Sequence, residues 1–100
     1  GVRYKGPALV LPGQTMAWTV QSIGEMTIDD LAPVRDAAEP VGVLLIGCGE
    51  KMVLIPPQLR AEARAWGVVI EAMGTGAACR TYNVLLSEGR DVATALIPID

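Results

Sequence analysis

The sequence predicts a single α/β domain, a small antiparallel meander followed by a β-α-β-α-β succession, and three observations carry that expectation. Between residues 41 and 97, runs of branched aliphatics alternate with helical patterns in the order β-α-β-α-β, the arrangement in which crossover helices join parallel strands. Ahead of them, short extended runs are separated by Gly6-Pro7 and Pro12-Gly13, turn pairs that produce an antiparallel meander. No linker, repeat or shift of composition divides the chain, and 100 residues with 51% hydrophobic content suit one core rather than two.

The meander consists of strands over residues 2–5, 8–11 and 16–20. Trp18 shares a face with Met16 and Val20 under period-two alternation, which makes it a core anchor. Thr27-Ile28-Asp29-Asp30 opens a helix with acidic residues in its first turn, and Pro33 limits that helix to a turn or restarts it. Residues 36–40 form a loop. Asp29, Asp30, Asp36 and Glu39 are interspersed through this stretch, which favours solubility over a carboxylate pair for acid and base work.

Residues 41–46, Val-Gly-Val-Leu-Leu-Ile, show no alternation and so read as a central strand covered on both faces. The strand ends in a turn at Gly47-Cys48-Gly49-Glu50, and residues 52–55 add a short extended segment. Pro56-Pro57 leads into a helix with Leu59, Ala63 and Trp66 on its inner face, Arg60 and Arg64 on a solvent face, and Gly67 as its stop. Residues 68–73 form the next strand. A helix follows over 76–88, with Thr75 as N-cap and Gly89 as its left-handed end, and residues 92–97 supply the last strand.

Four aromatics with no Phe leave the core to Val, Leu, Ile, Ala and Met. A formal charge of −3 with a pI near 4.8 argues against a nucleic-acid surface, which needs clustered Lys and Arg to neutralise phosphates. No run reaches the ~20 apolar residues of a membrane span. The first residues carry no apolar segment of a secretory signal and no initiator Met, so a trimmed start stays open. Two Cys and no His leave neither a disulfide framework nor the usual Cys and His zinc sets. No metal or other cofactor is expected, and a reducing compartment is the default. The mean hydropathy of +0.39 is high, calling for a dense aliphatic core or for surface reserved for a partner.

The chemically distinctive side chains gather in residues 74–90. At about 100° per residue, Leu85, Ala78, Tyr82, Leu86 and Cys79 share one apolar arc, with Asn83, Ser87 and Arg80 as a polar shoulder. Cys79 and Asn83 then stand at the rim of the core. If the strands over 41–46 and 68–73 are parallel neighbours, Gly47-Cys48-Gly49 and Gly74-Thr75-Gly76 open on one sheet edge, where open α/β sheets bind ligands. The candidate site is therefore Gly47, Cys48, Gly49, Thr75, Cys79, Arg80, Tyr82 and Asn83.

Its chemistry admits several readings. Gly74-x-Gly76-x-x-Cys79 misses the dinucleotide fingerprint at its third small residue, although Asp100 follows at a suitable spacing. Free amides at the helix start, with Arg80, favour an anion. Cys79 near the dipole and Arg80 has the setting of an activated thiol, but no histidine base accompanies it. Cys48 lies on the same expected edge, which allows a reversible Cys48–Cys79 disulfide. Each reading has a plain counterpart: Thr75 as a cap, Cys79 as a small core residue, Arg80 and Asn83 as partners for loop backbone. Without a complete catalytic set, a non-enzymatic role is expected. A small-ligand site or an uncharacterised enzyme at the two glycine loops is the alternative.

The run Ala77-Ala78-Cys79-Arg80-Thr81-Tyr82-Asn83-Val84-Leu85, followed by Glu88-Gly89-Arg90 and Ala95-Leu96-Ile97-Pro98 and preceded by Gly47-x-Gly49, resembles the signature of a known family. Its members are small single-domain α/β proteins, many of them bacterial and of unknown function, and include a mitochondrial assembly factor for respiratory complex I. The resemblance extends over nearly the whole chain and is closer to the bacterial branch. It implies a three-layer fold, a central mixed sheet flanked by helices on one side and by an additional small β layer. It also implies work through protein contacts, with complex I subunits or assembly factors as partners. The mitochondrial relative acts with a second assembly factor on early complex I intermediates and has no established catalytic activity. That branch does not keep the full Cys-Arg-Thr-Tyr-Asn run, notably the Arg at the Arg80 position, so a site built on Arg80 would have no counterpart there. A bacterial member implies the cytoplasm, a eukaryotic one the mitochondrion. Val84 and Ala77 point away from the core arc, which fits a homodimer surface or a second covering layer.

Overall fold

The computed structural model describes residues 6–18, 20, 26–37, 39–49 and 55–97. The strand expected over 2–5, most of the extended run at 52–55, and Asp100 lie outside them. Among the described residues, five strands form one mixed sheet: β1 (Ala8–Leu11), β2 (Gln14–Ala17), β3 (Val43–Cys48), β4 (Val69–Met73) and β5 (Val92–Ile97), in the order β2-β1-β5-β3-β4. A 3-10 turn, Ile28–Leu31, runs into α1 (Ala32–Arg35), and α2 (Pro57–Ala65) and α3 (Thr75–Ser87) connect the parallel strands.

β3 explains its own lack of alternation. It lies between β4 and β5 and runs parallel to both, with Leu45 opposite Glu71 on one side and Thr94 on the other, so layers cover both of its faces. Leu44 and Ile46 join Leu9, Ile70, Ala93 and Ala95 in the main hydrophobic cluster, where Leu59 and Ala63 of α2 meet them. Leu45, Val92 and Thr94 are equally buried but outside that cluster, and α3 packs across β3 and β5 on this second face with Ala78 fully buried. Thr94 is tolerated there because its hydroxyl donates to the Leu45 carbonyl at 3.0 Å. The mixed sheet and flanking helices are as the sequence predicts; within that fold α3 takes the face opposite α2. Burying a Leu or Ile from water contributes ~1.5–3 kcal/mol each, which makes the central strands the main source of cohesion.

The front of the chain is continuous with this sheet. β1 pairs antiparallel with β5 and with β2 across the two-residue loop Pro12-Gly13, where Gly13 takes φ 76°. β2 begins two residues earlier than expected and ends at Ala17. Trp18, just beyond it, is nevertheless buried, and its indole N–H donates to the Asp30 carbonyl at 2.9 Å. Asp30 also accepts from the Thr27 amide at 2.8 Å, which sets the 3-10 turn. Pro33 then sits in the first turn of α1, restarting the helix as its fixed φ allows.

One boundary and one side-chain placement need correction. β3 extends through Gly47 and Cys48, so the expected Gly47 to Glu50 turn reduces, within the described residues, to Gly49 with φ 82°. Register explains this, because Gly47 and Cys48 still pair with β5 opposite Leu96 and Ile97. Arg60, expected on a solvent face, is half-buried and donates its guanidinium N–H to the Ile70 carbonyl on β4. Both long helices end on left-handed glycines, as expected. The Gly67 amide returns to Arg64 and the Val68 amide to Ala63, while Gly89 and Arg90 return to Leu86 and Leu85. Replacing Gly89 by Ala forces a Cβ into that conformation and is expected to lower stability by about 1–2 kcal/mol in urea unfolding, with the fold unchanged.

Candidate functional site

The two glycine turns are bonded to each other. The Thr75 amide donates to the Gly49 carbonyl at 2.9 Å, and the Gly49 amide donates to the Thr75 hydroxyl oxygen at 2.8 Å. The same hydroxyl donates its proton to the Ile97 carbonyl at 2.5 Å. One threonine side chain therefore ties the carboxyl ends of β3 and β5 to the start of α3. Thr75 is not the N-cap that its position suggested. Gly74 holds that place with extended backbone, and no side chain caps the helix there. The reason is geometric: the helix starts one residue early, so the Thr75 hydroxyl turns toward the strand ends instead of its own first-turn amides.

Close approach makes this possible. A Cβ at Gly47 would lie 3.0 Å from the Thr75 Cα and 3.0 Å from the Leu96 Cδ2, so only glycine lets α3 settle on β3 at this height. Gly47 and Gly49 are buried, and Cys48 is half-buried with its thiol donating weakly to the Ile46 carbonyl at 3.7 Å. Farther along α3, Cys79 and Tyr82 are half-buried, whereas Arg80 and Asn83 are exposed. Arg80 folds back toward the helix start, its Nη1 3.4 Å from where a Gly76 Cβ would stand. Both cysteines are free thiols.

The apolar arc of α3 is turned from its expected setting. Ala78 is buried and Leu85 half-buried, but Leu86 is 50% exposed and Val84 55% exposed. Leu86 lies roughly 80° around the helix from Ala78, at the margin of a contact face that centres on Ala78 and includes the half-buried Thr81. Among the described residues, every buried side-chain nitrogen and oxygen has a hydrogen-bond partner, and no group of three or more His, Cys, Asp or Glu is placed to hold a metal.

Two grooves lie away from the glycine turns. One, of about 330 Å³, runs between α2 and β4 and is lined by Arg60 and Arg64 with Val68, Val69 and Ile70. The other, of about 350 Å³, is bounded by Arg35, Val41 and Trp66. In the latter the Arg35 guanidinium stands 5.6 Å from the Trp66 ring centre and pairs with Asp36 at 2.8 Å. That hydrogen bond holds the Asp36 carboxyl below the usual carboxylate range and raises Arg35 further. The sequence reading missed Arg60. Its signal was the i, i+4 spacing of Arg60 and Arg64 on the helix that precedes an outer strand, but helical periodicity alone does not reveal which strand is outermost.

These features define a class: a small α/β domain with a parallel β4-β3-β5 core, an antiparallel hairpin at one edge, and a threonine lock at the strand ends. The chain belongs to the family described as Protein of unknown function (DUF498/DUF598), which it matches over residues 1–97. It is 41% identical over 99 residues to an uncharacterized protein of Rhodobacter capsulatus, covering 99% of this chain and 74% of that one. It is 32% identical over 98 residues to the NADH dehydrogenase [ubiquinone] 1 alpha subcomplex assembly factor 3 of Xenopus tropicalis, covering 98% of this chain. The chain spans about half the length of that relative, 54%. Its fold matches the NMR structure of a Rhodopseudomonas palustris protein with a TM-score of 0.88 and 36% identity, over 99% of this chain and 73% of that one.

The threonine lock is directly testable. Thr75→Val removes both hydroxyl bonds and orphans the Gly49 amide and Ile97 carbonyl, so a loss of about 2–3 kcal/mol is expected in chemical unfolding. Thr75→Ser keeps the hydroxyl and should cost less than half of that. Faster hydrogen exchange at the Gly49 amide in the valine variant alone is the confirming signature.

Proposed function

We propose that this domain is a non-enzymatic protein-interaction module that assists assembly of a respiratory NADH dehydrogenase. The observation that carries the reading is the similarity to assembly factors over nearly the whole chain. Apolar surface supports it: Val84 and Leu86 on α3 and Val69 on β4 are large side chains left in contact with solvent, the kind of area that a partner covers. A homodimer formed through Val84 is the related proposal. No helix among the described residues is long and apolar enough to cross a membrane. The proposed compartment is the cytoplasm for a bacterial source and the mitochondrion for a eukaryotic one.

A second reading places a small anion at the glycine loops, with Gly47, Cys48, Gly49, Thr75, Cys79, Arg80, Tyr82 and Asn83 around it. Its support is Arg80, whose guanidinium curls toward the first turn of α3, where amides and the dipole already favour negative charge. The two readings separate experimentally. Gentle affinity capture from native cells is expected to recover NADH dehydrogenase subunits or assembly proteins with the tagged chain, and a capture devoid of them rejects the assembly role. In a screen of phosphate, carboxylates and nucleotides followed by NMR, amide shifts at Gly49, Thr75 and Gly76 that stay fixed reject the anion site.

A further inference from the structure

We infer that the outer edge of β4, with the groove between it and α2, is a docking site for an extended acidic segment of a partner protein. The inference rests on the interaction reading above and names its surface and the chemistry of its partner. β4 ends the sheet, with β3 on one side and, among the described residues, no strand on the other. The Val69 amide donates to the Gly42 carbonyl at 3.0 Å and so faces β3. By the alternation of a strand, Ile70 and Ala72 direct their N–H and C=O groups outward. The Ile70 carbonyl confirms that direction, since it accepts from the Arg60 guanidinium across the edge.

An outer row of strand donors and acceptors is a template for pairing, and proteins that leave one either blunt it or use it; here Ile70 is 2% exposed beneath Arg60 and Ala72 is half-buried, so the row opens to a strand when Arg60 moves aside. Arg60 covers one acceptor here. Beside it lies the groove of about 330 Å³, in which Arg64 stands one helical turn from Arg60 and, among the described residues, no carboxylate contributes to the lining. Val69, 40% exposed, offers an apolar surface at the same edge. A docking strand can exchange partners without leaving a polar group unpaired. Its own N–H takes the Ile70 carbonyl, and the released Arg60, with Arg64, takes a carboxylate from the incoming segment in a charge-assisted pair.

Charge also selects the occupant. A second copy of this chain, paired edge to edge about a two-fold axis, would press Arg60 and Arg64 toward their own symmetry mates. The chain as a whole carries −3, so a broad acidic surface is repelled and recognition must be local. A short extended segment with a carboxylate at the groove meets both conditions.

The test is amide hydrogen exchange on the intact chain with a blocked hexapeptide of alternating valine and glutamate, and a valine and lysine peptide as control. The glutamate peptide should slow exchange at Ile70 and Ala72 by about tenfold or more at saturation, and the lysine peptide should not. Arg60→Glu with Arg64→Glu should reverse that preference. Ala72→Pro deletes an outward amide at an edge position where proline is tolerated, and should abolish binding while exchange in β3 and β5 stays native. Unchanged exchange at Ile70 and Ala72 with the glutamate peptide, or equal protection by both peptides, overturns the inference. Protection that grows with protein concentration in the absence of peptide also overturns it, because the occupant would then be a second copy. Equal capture of respiratory proteins by the native chain and Ala72→Pro removes the edge and leaves the interaction role standing. Selective peptide protection with no such capture supports the edge and removes the assembly role.

Discussion

A single hydroxyl group fixes how the parallel strand ends sit against the start of α3. Thr75 accepts from the turn that ends β3 and donates to the last carbonyl of β5 while its own amide bonds back to Gly49. Parallel strands give no hairpin to fix their ends, so their relative height depends on contacts of this kind and on register. The Thr75 position in turn demands glycine at 47, where any side chain would meet the helix backbone. Packing of α3 over β3 and β5 follows from that approach, and with it the setting of Cys79, Arg80, Tyr82 and Asn83.

The two faces of the sheet are built differently. The α2 face carries the large cluster, with Trp18, Leu31 and Ile55 adding to the aliphatic strands. On the α3 face, Ala78 and half-buried neighbours cover Leu45, Val92 and Thr94, and Val84 and Leu86 are left in water. A helix of small inward residues lies close to its sheet, but it cannot also shield its own outer apolar side chains. The high mean hydropathy therefore has two sources, a dense aliphatic core and surface left uncovered. Among the described residues, β4 adds an edge whose outer backbone groups stay outside the ladder.

Much of the fold was legible in residue order. The unalternating run of β3, the strand at residues 92–97, the proline entry to α2 and the glycine stops at 67 and 89 are local signals, set by backbone sterics and periodicity. Adjacency of the Gly47 and Gly74 turns also followed, because a strand, a helix and a parallel strand in succession place both loops at one sheet edge. The role of Thr75, the rotation of α3 and the bond from Arg60 to Ile70 were not legible. Each depends on which distant element arrives nearby and at what height.

By itself, then, the chain's order of residues determined the α/β class, the element sequence, the helix ends and the family resemblance, since these arise from interactions a few residues apart. Only the tertiary structure decided that Thr75 locks strands instead of capping a helix, that Leu86 faces water, and that Arg60 guards an outer strand. Hydrogen bonds and burial across tens of residues are set by packing height and strand order, quantities that no local pattern encodes.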